Sequence, residues 1–456
     1  MNTRVLLPLL ALSLASCAVG PDFAGAPDQE LPAGWVNHLP PASDAHSLSA
    51  WWDSFGDPQL SALIARGFEA NPDMVSAALS VAAAESQLRS VRSGLFPGVS
   101  ASAGGSNSGS YQTSTSHGGW SGALSASWTP DIWGGTRREV EAAAATLGSQ
   151  YAAAAATRTA LAGSIAAAYI QWITAKESLR IAREQLAYQE RTYSIAKQRY
   201  DNGMSTGLDL AESQATIAST RAQIPQYEAN ILSYENALAT YLGTTVDKLS
   251  LSLPAPAVYN RIPAVPTGLP SELLRRRPDI VRAEHELHAA TARIGVSVAD
   301  LFPKLSLTGS TGSRAGSDFA QFWKNSTWDL GASVGRSILN NTTLNEAVRQ
   351  AELAQQKSVQ SYRQTVLAAF AEVENCLIDY ARLTNQLPRY EEASAANRRS
   401  AELSLQLFNA GNKDFLNVAA AERQWLSSEL SIIAARQNIR LTLAKLCTAL
   451  GGGWEP

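Results

Sequence analysis

The chain has 456 residues with 37 Lys+Arg against 40 Asp+Glu, and its formal net charge of −3 comes without any basic cluster interleaved with aromatics. Nucleic acid is thereby excluded as a partner. No G-x-S-x-G, Walker loop or other nucleophile arrangement is present, and the serines are spread along alternating and loop-like stretches, so catalysis has no candidate site.

The N-terminus begins with Arg4, an apolar run from Val5 to Leu14 and then Leu14-Ala15-Ser16-Cys17. This is the pattern of a lipoprotein signal over residues 1–16, with cleavage before Cys17. The freed Cys17 thiol would carry S-diacylglycerol and its amine an N-acyl chain, a covalent lipid and no other cofactor. Residues 17–57 read as a lipidated linker, rich in Pro, Gly and Asp until Trp51-Trp52-Asp53-Ser54-Phe55. Beyond the leader no apolar run reaches the roughly 18 residues of a membrane-spanning helix, so further contact with a bilayer has to be made by strands.

Helices are expected over about 58–69 and 72–94, the second starting with Pro72 and stopped by Gly94 and Pro97. After Phe96 the period changes to two, and a hairpin is expected over about 96–130. Its second strand sets Trp120, Gly122, Leu124, Ala126 and Trp128 on one face and Ser121, Ala123, Ser125 and Ser127 on the other. Eight residues separate the two indoles by about 26 Å along a strand, about 19 Å vertically at a 45° tilt, the spacing of two aromatic girdles about a lipid-facing band. A second hairpin over about 302–338 repeats the pattern, with Trp328, Leu330, Ala332 and Val334 on the apolar face. Trp328 joins Trp120 and Trp128 as a girdle residue. Polar tips are expected from Ser108 to Gly119 and from Ser313 to Asn325. Four strands cannot close a barrel, and open edges cannot lie in hydrocarbon, so the chain must oligomerise.

Long helices are expected over 136–201 and 342–409. In the first, Leu147, Tyr151, Ala154, Leu161, Ile165 and Ala168 follow the three-four spacing of a coiled-coil seam. About 65 residues would make a rod of about 100 Å. Each rod ends at a glycine turn, Gly203 or Gly411, from which helices return over 208–242 and 416–450. Residues 243–271 form a proline-rich belt between the halves, and residues 451–456 form a tail.

The halves are copies. At an offset of 206 positions, Pro278-Asp279 matches Pro72-Asp73 and Leu301-Phe302-Pro303 matches Leu95-Phe96-Pro97. The offset then slips by two, so that Gly411 matches Gly203. Such a period is too long for a solenoid, which leaves two equivalent repeats, 58–242 and 272–450, within one body.

The lipobox, Trp51-Trp52 with Phe55 and Asp57-Pro58, Arg277-Pro278-Asp279, Ala292-Arg293-Ile294-Gly295 and Leu301-Phe302-Pro303 together resemble the outer-membrane efflux channel lipoproteins of TolC/OprM type, NodT branch. The resemblance implies an α+β membrane protein: a homotrimer with a twelve-stranded β-barrel in outer-membrane lipid and a coiled-coil tunnel through the periplasm. It further implies a membrane-fusion adaptor and an inner-membrane resistance-nodulation-division transporter as partners. Ala18 after Cys17, in place of aspartate, favours outer-membrane delivery by the same analogy. The family's gate lies at the glycine turns, which makes Asp209, Glu212, Asp414 and Leu416 its candidates. Three copies of a carboxylate on a narrow axis repel one another and attract cations. Ala420, however, stands where the second return helix often carries an acid.

His285 and His288 are spaced i, i+3 without further ligands nearby, so no metal site is expected. Cys376 and Cys447 lie at similar distances on either side of the Gly411 turn, and either a disulfide or two buried thiols fits that placement. The expected function is the exit duct of a tripartite efflux pump, passively conducting small solutes. The rival is a lipid-anchored structural or adhesion spacer without a lumen, and the polar second face of the strands argues against it.

Overall fold

A computed structural model describes residues 18–28, 32, 34–36, 48–110, 115–262, 272–316, 319–336 and 341–454. Cys17 and the leader before it lie outside the described residues. A short 3-10 segment, Leu48–Phe55, precedes helix α1 (Pro58–Ala70) and helix α2 (Pro72–Ser93). Strands β1 (Gly98–Ser110) and β2 (Thr115–Trp128) lead into the 67-residue helix α3 (Gly135–Asp201), and α4 (Gly207–Tyr241) follows. The second half runs through α5 (Pro278–Ala299), β3 (Lys304–Ala315), β4 (Ser326–Gly335), the 69-residue α6 (Asn341–Asn409) and α7 (Phe415–Ala449).

The duplication is visible residue by residue. Helices α2 and α5 both have 22 residues, and α4 and α7 both have 35. The long helices have 67 residues against 69 and start 206 positions apart but end 208 apart, so the two-residue slip lies inside α6. Two extra residues advance a helix by about 3 Å and turn it by about 200°, so the repeats present different faces at a fixed offset on either side of the insertion.

The chain divides into two compact units. The first (Met1–Gln29, Leu79–Ala152, Val281–Thr365) holds an antiparallel sheet in the order β1-β2-β3-β4. Its register makes continuous cross-strand rows. Val99, Ala126, Gly309 and Leu330 form one, and Ala101, Leu124, Thr311 and Trp328 the next on the same face. The alternate rows are polar: Ser100, Ser125, Ser310 and Asp329 stand directly opposite one another. These two apolar rows are left uncovered by the described residues, with Trp328 and Leu330 each 77% exposed. Among the described residues β1 and β4 each keep one unpaired edge.

The first expected polar tip is corrected, while the second falls where expected, between the last pair Ser313 and Ser326. β1 continues to Ser110 and β2 starts at Thr115, paired with each other, because backbone pairing carries a Ser/Gly ladder onward once Val99 to Leu124 have set the register. The second tip contains a 3-10 turn, Phe319–Lys324. The Phe322 ring occupies the space above Gly122, where a Cβ would come within 2.8 Å of it. Trp328 also differs from expectation, since pairing sets it in the row of Leu124, midway along β2 between Trp120 and Trp128.

Residues 18–23 form a strap in this unit. The Val19 N–H donates to Trp133 O at 3.1 Å, and buried Arg138 pairs with Asp22 while donating to Val19 O at 3.2 Å. Phe23 stacks on His288 with 4.4 Å between centroids, and His288 Nε2 meets Glu141 Oε1 at 3.0 Å. Gly295 is required for this approach, because a Cβ there would lie 2.9 Å from Val19 O and 2.7 Å from Arg138 Cγ.

In the second unit (Glu30–Ala78, Ala153–Ile280, Val366–Pro456), Trp51, Trp52 and Phe55 are buried edge-to-face. Asp57 caps α1 by accepting from Gln59 N at 3.0 Å, and its other oxygen accepts from Tyr169 OH at 2.8 Å. Arg277 binds Asp279 at 2.7 Å, Glu372 at 3.0 Å and Ala449 O at 2.7 Å, joining the start of α5 to α6 and the end of α7. The tail is fixed on the same ground, Trp454 Nε1 donating to Arg276 O at 2.9 Å. Part of the belt is seated by buried Arg440, which lies 4.2 Å over the Tyr259 ring and donates to Val258 O; residues 263–271 lie outside the described residues. Cys376 and Cys447 are both free and buried. Among the described residues no helix is long and apolar enough to cross a membrane, and no His/Cys/Asp/Glu group could hold a metal ion.

Candidate functional site: the helical tips

Both rods turn at a glycine with positive φ, Gly203 at 72° and Gly411 at 77°, a conformation that favours glycine. At the first turn Met204 N bonds Arg199 O at 2.8 Å, and at the second Asn412 N bonds Leu407 O at 2.9 Å. The two turns are fastened by Arg199, whose guanidinium donates to Asn409 O and Met204 O and lies 5.0 Å from the centre of the Phe408 ring.

The four gate candidates take different places. Asp209 is buried and closes a capping box at the start of α4, its Oδ2 accepting from Thr206 N at 2.9 Å while Thr206 Oγ1 accepts from Asp209 N. The same Oδ2 accepts from Ser205 and Thr206 hydroxyls, and Oδ1 accepts from Phe415 N at 3.0 Å. Burial alone would raise the Asp209 pKa, but these hydrogen bonds outweigh it and hold the carboxyl below the usual carboxylate range. Glu212 is half-buried one turn further on. Asp414 is the N-cap of α7, without a side-chain cap bond, and is exposed; Leu416 beside it is 55% exposed. The structure therefore separates them into an internal staple, Asp209, and an outward pair, Asp414 and Leu416.

Above the tips, Phe408, Phe415, Ala196, Val418 and Ala419 form an apolar cluster. Phe408 and Phe415 meet edge-to-face at 5.4 Å. The next layer is polar and escaped the sequence reading. Glu422 is 1% exposed on α7 and faces Thr192 of α3; Thr192 and Gln189, three residues before it, are both buried. The signal was there in principle, since Glu422 falls on the apolar seam of α7 between Val418, Ala419 and Leu426.

A family model described as outer membrane efflux protein matches residues 63–244 and 269–452, the two repeats in succession. The chain belongs to the outer membrane efflux protein family. It is 34% identical over 474 residues to the pyoverdine export outer membrane protein OpmQ of Pseudomonas putida, covering 99% of this chain and 97% of that one. The outer-membrane channel OprN superposes with a TM-score of 0.86 at 30% identity, over 96% of this chain and all of the other. The open state of the Neisseria gonorrhoeae MtrE outer membrane channel gives 0.85 at 28% identity, covering 96% and 98%. The TolC/OprM-type fold expected from the sequence is thus the observed one, in two repeats.

Proposed function

We propose that three copies of this outer-membrane efflux channel close their sheets edge to edge into one barrel and form the exit duct of a tripartite pump. The protein is a channel and not an enzyme. The observation that carries the reading is the sheet, with its uncovered apolar rows, polar alternate rows and two open edges. An open edge in hydrocarbon leaves unpaired N–H and C=O groups, each costing several kcal/mol, and edge pairing between copies removes them. Three four-stranded sheets give a twelve-stranded barrel whose polar rows, Asp329 among them, line the lumen.

Solutes move passively through it, handed over by a periplasmic adaptor and an energised inner-membrane transporter of resistance-nodulation-division type. The name of its relative, the pyoverdine export protein OpmQ, makes pyoverdine one cargo to test. Gating belongs to the tips, where Arg199 and Asp209 hold the turns together and Asp414, Leu416 and Glu212 supply the side chains nearest the opening.

Cys17 carries the lipid anchor in this reading. Its support is the strap: Ala18 lies so close to Gly134 that a Cβ there would come within 2.6 Å of the Ala18 Cα, six residues after Trp128 ends β2. A lipid on the preceding residue would enter the bilayer beside the barrel rim. Native mass spectrometry of protein extracted from membranes tests both parts. Three chains, each beginning at Cys17 with a diacylglycerol and an N-acyl group, are expected; monomers would overturn the trimer, and unmodified Cys17 would overturn the anchor.

A further inference from the structure

Several atoms of the polar layer above the tips find no partner among the described residues. Glu422 Oε1 and both amide atoms of Gln189 are buried without a hydrogen bond, and so is Gln185 Nε2 one turn along α3. Glu422 lies in the α3–α7 seam, whose register is fixed by Tyr188 against Trp425 at 5.5 Å and by the Ala196–Val418 cluster below, and Gln189 and Gln185 precede Thr192 along α3. Glu422 is seven residues into α7, about 10 Å from the Asp209–Phe415 staple. A buried carboxylate without a counter-ion is tolerated only if it is neutral or if the seam opens to water.

We propose that Glu422 is a proton-binding site that couples external pH to tip packing: protonated, it leaves α7 seated on α3, and ionised, it drives the seam apart. Among the described residues the neighbours supply no compensating charge. From α3 the facing groups are Tyr188 and Thr192. From α6 come Arg398, whose charge lies over Trp425 and is paired to Glu402 at 3.2 Å, and Glu402 itself. On α7 itself Glu429 is bonded by Ser394, while Arg423 faces the groove opposite Thr216 and Thr220 of α4. Burial pushes the Glu422 carboxyl up to about 7, opposed only by the Thr192 hydroxyl. A raised carboxyl stabilises the closed seam fully below the ordinary carboxylate range and loses that contribution as pH rises to about 7.

Hydrogen exchange of the full-length protein in detergent, corrected for intrinsic rates, reads the seam without requiring solute flow, so its outcome is separate from conduction. In peptides covering 185–200 and 415–425 the opening equilibrium should rise on the order of tens-fold between pH 5 and 8, levelling off above about 7. Glu422→Gln should stay protected and flat over that range, and Glu422→Met serves the same comparison should the amide variant not assemble. A wild type with no pH dependence there, or a neutral variant that keeps the slope, overturns the proposal.

Discussion

The Asp209 carboxylate accepts the Phe415 N–H at 3.0 Å across 206 positions of sequence, so the first turn of each return helix is held by the other. The two tips are not equivalent copies, however. Thr206 and Asp209 build a reciprocal capping box, whereas the matching Asp414 makes no side-chain cap bond and its helix start is capped from outside.

Asp209→Ala removes four acceptor bonds and the link between the repeats. Loss of a cap typically costs about 1 kcal/mol. Faster hydrogen exchange at residues 205–212 and at 415–419 together, with the sheet unchanged, is the expected outcome. The folded carboxyl lies below its ordinary value, so its contribution is present above the unfolded pKa and lost as pH falls through the folded one. Acid should therefore loosen this staple, opposite in sign to the seam at Glu422.

A charge on the apolar rows should prevent insertion where one on the polar rows does not. Leu124→Arg introduces a guanidinium into the lipid-facing band at about 2–4 kcal/mol per chain, and heat-stable oligomer recovered from membranes should fall sharply. Ser125→Arg, one residue away and opposite Ser310, should assemble and shift ion selectivity toward anions.

Much of this architecture is legible in the sequence because it rests on periodicity and on glycine. The 206-residue copy, the alternation about Trp120 to Trp128 and the turns at Gly203 and Gly411 all reappear as elements. What was not legible depends on partners brought together by folding. Ser110 and Thr115 pair although nothing apolar marks them as strand, and Glu422 is an ionisable residue type that folding buries in the seam. Asp209 carried a readable signal, Thr206-x-x-Asp209, which places the acid in a capping box and not free in a ring.

The two thiols give an independent check on the core of α6 and α7. Burial pushes Cys376 up to about 11 and also raises Cys447, with Cys376 nearby adding to the latter. Native protein at pH 8 should resist alkylation, and denatured protein should take up two equivalents at these positions. Rapid labelling of either in the native state would contradict the packing.

Gly295→Val should dislodge the strap while sparing the sheet. A branched side chain would collide with Val19 O and the Arg138 stem. Limited proteolysis within residues 18–28 is expected to accelerate, with oligomer yield kept.

Single-channel conductance of the purified protein in planar bilayers tests the central claim most directly, comparing wild type with a double variant, Arg199→Ala and Asp209→Ala, that cuts both fastenings of the tips. A small conductance that rises severalfold in the variant is what a duct closed at its helical tips predicts. No conductance from either well-folded oligomer would mean there is no lumen, and the chain would then be a spacer.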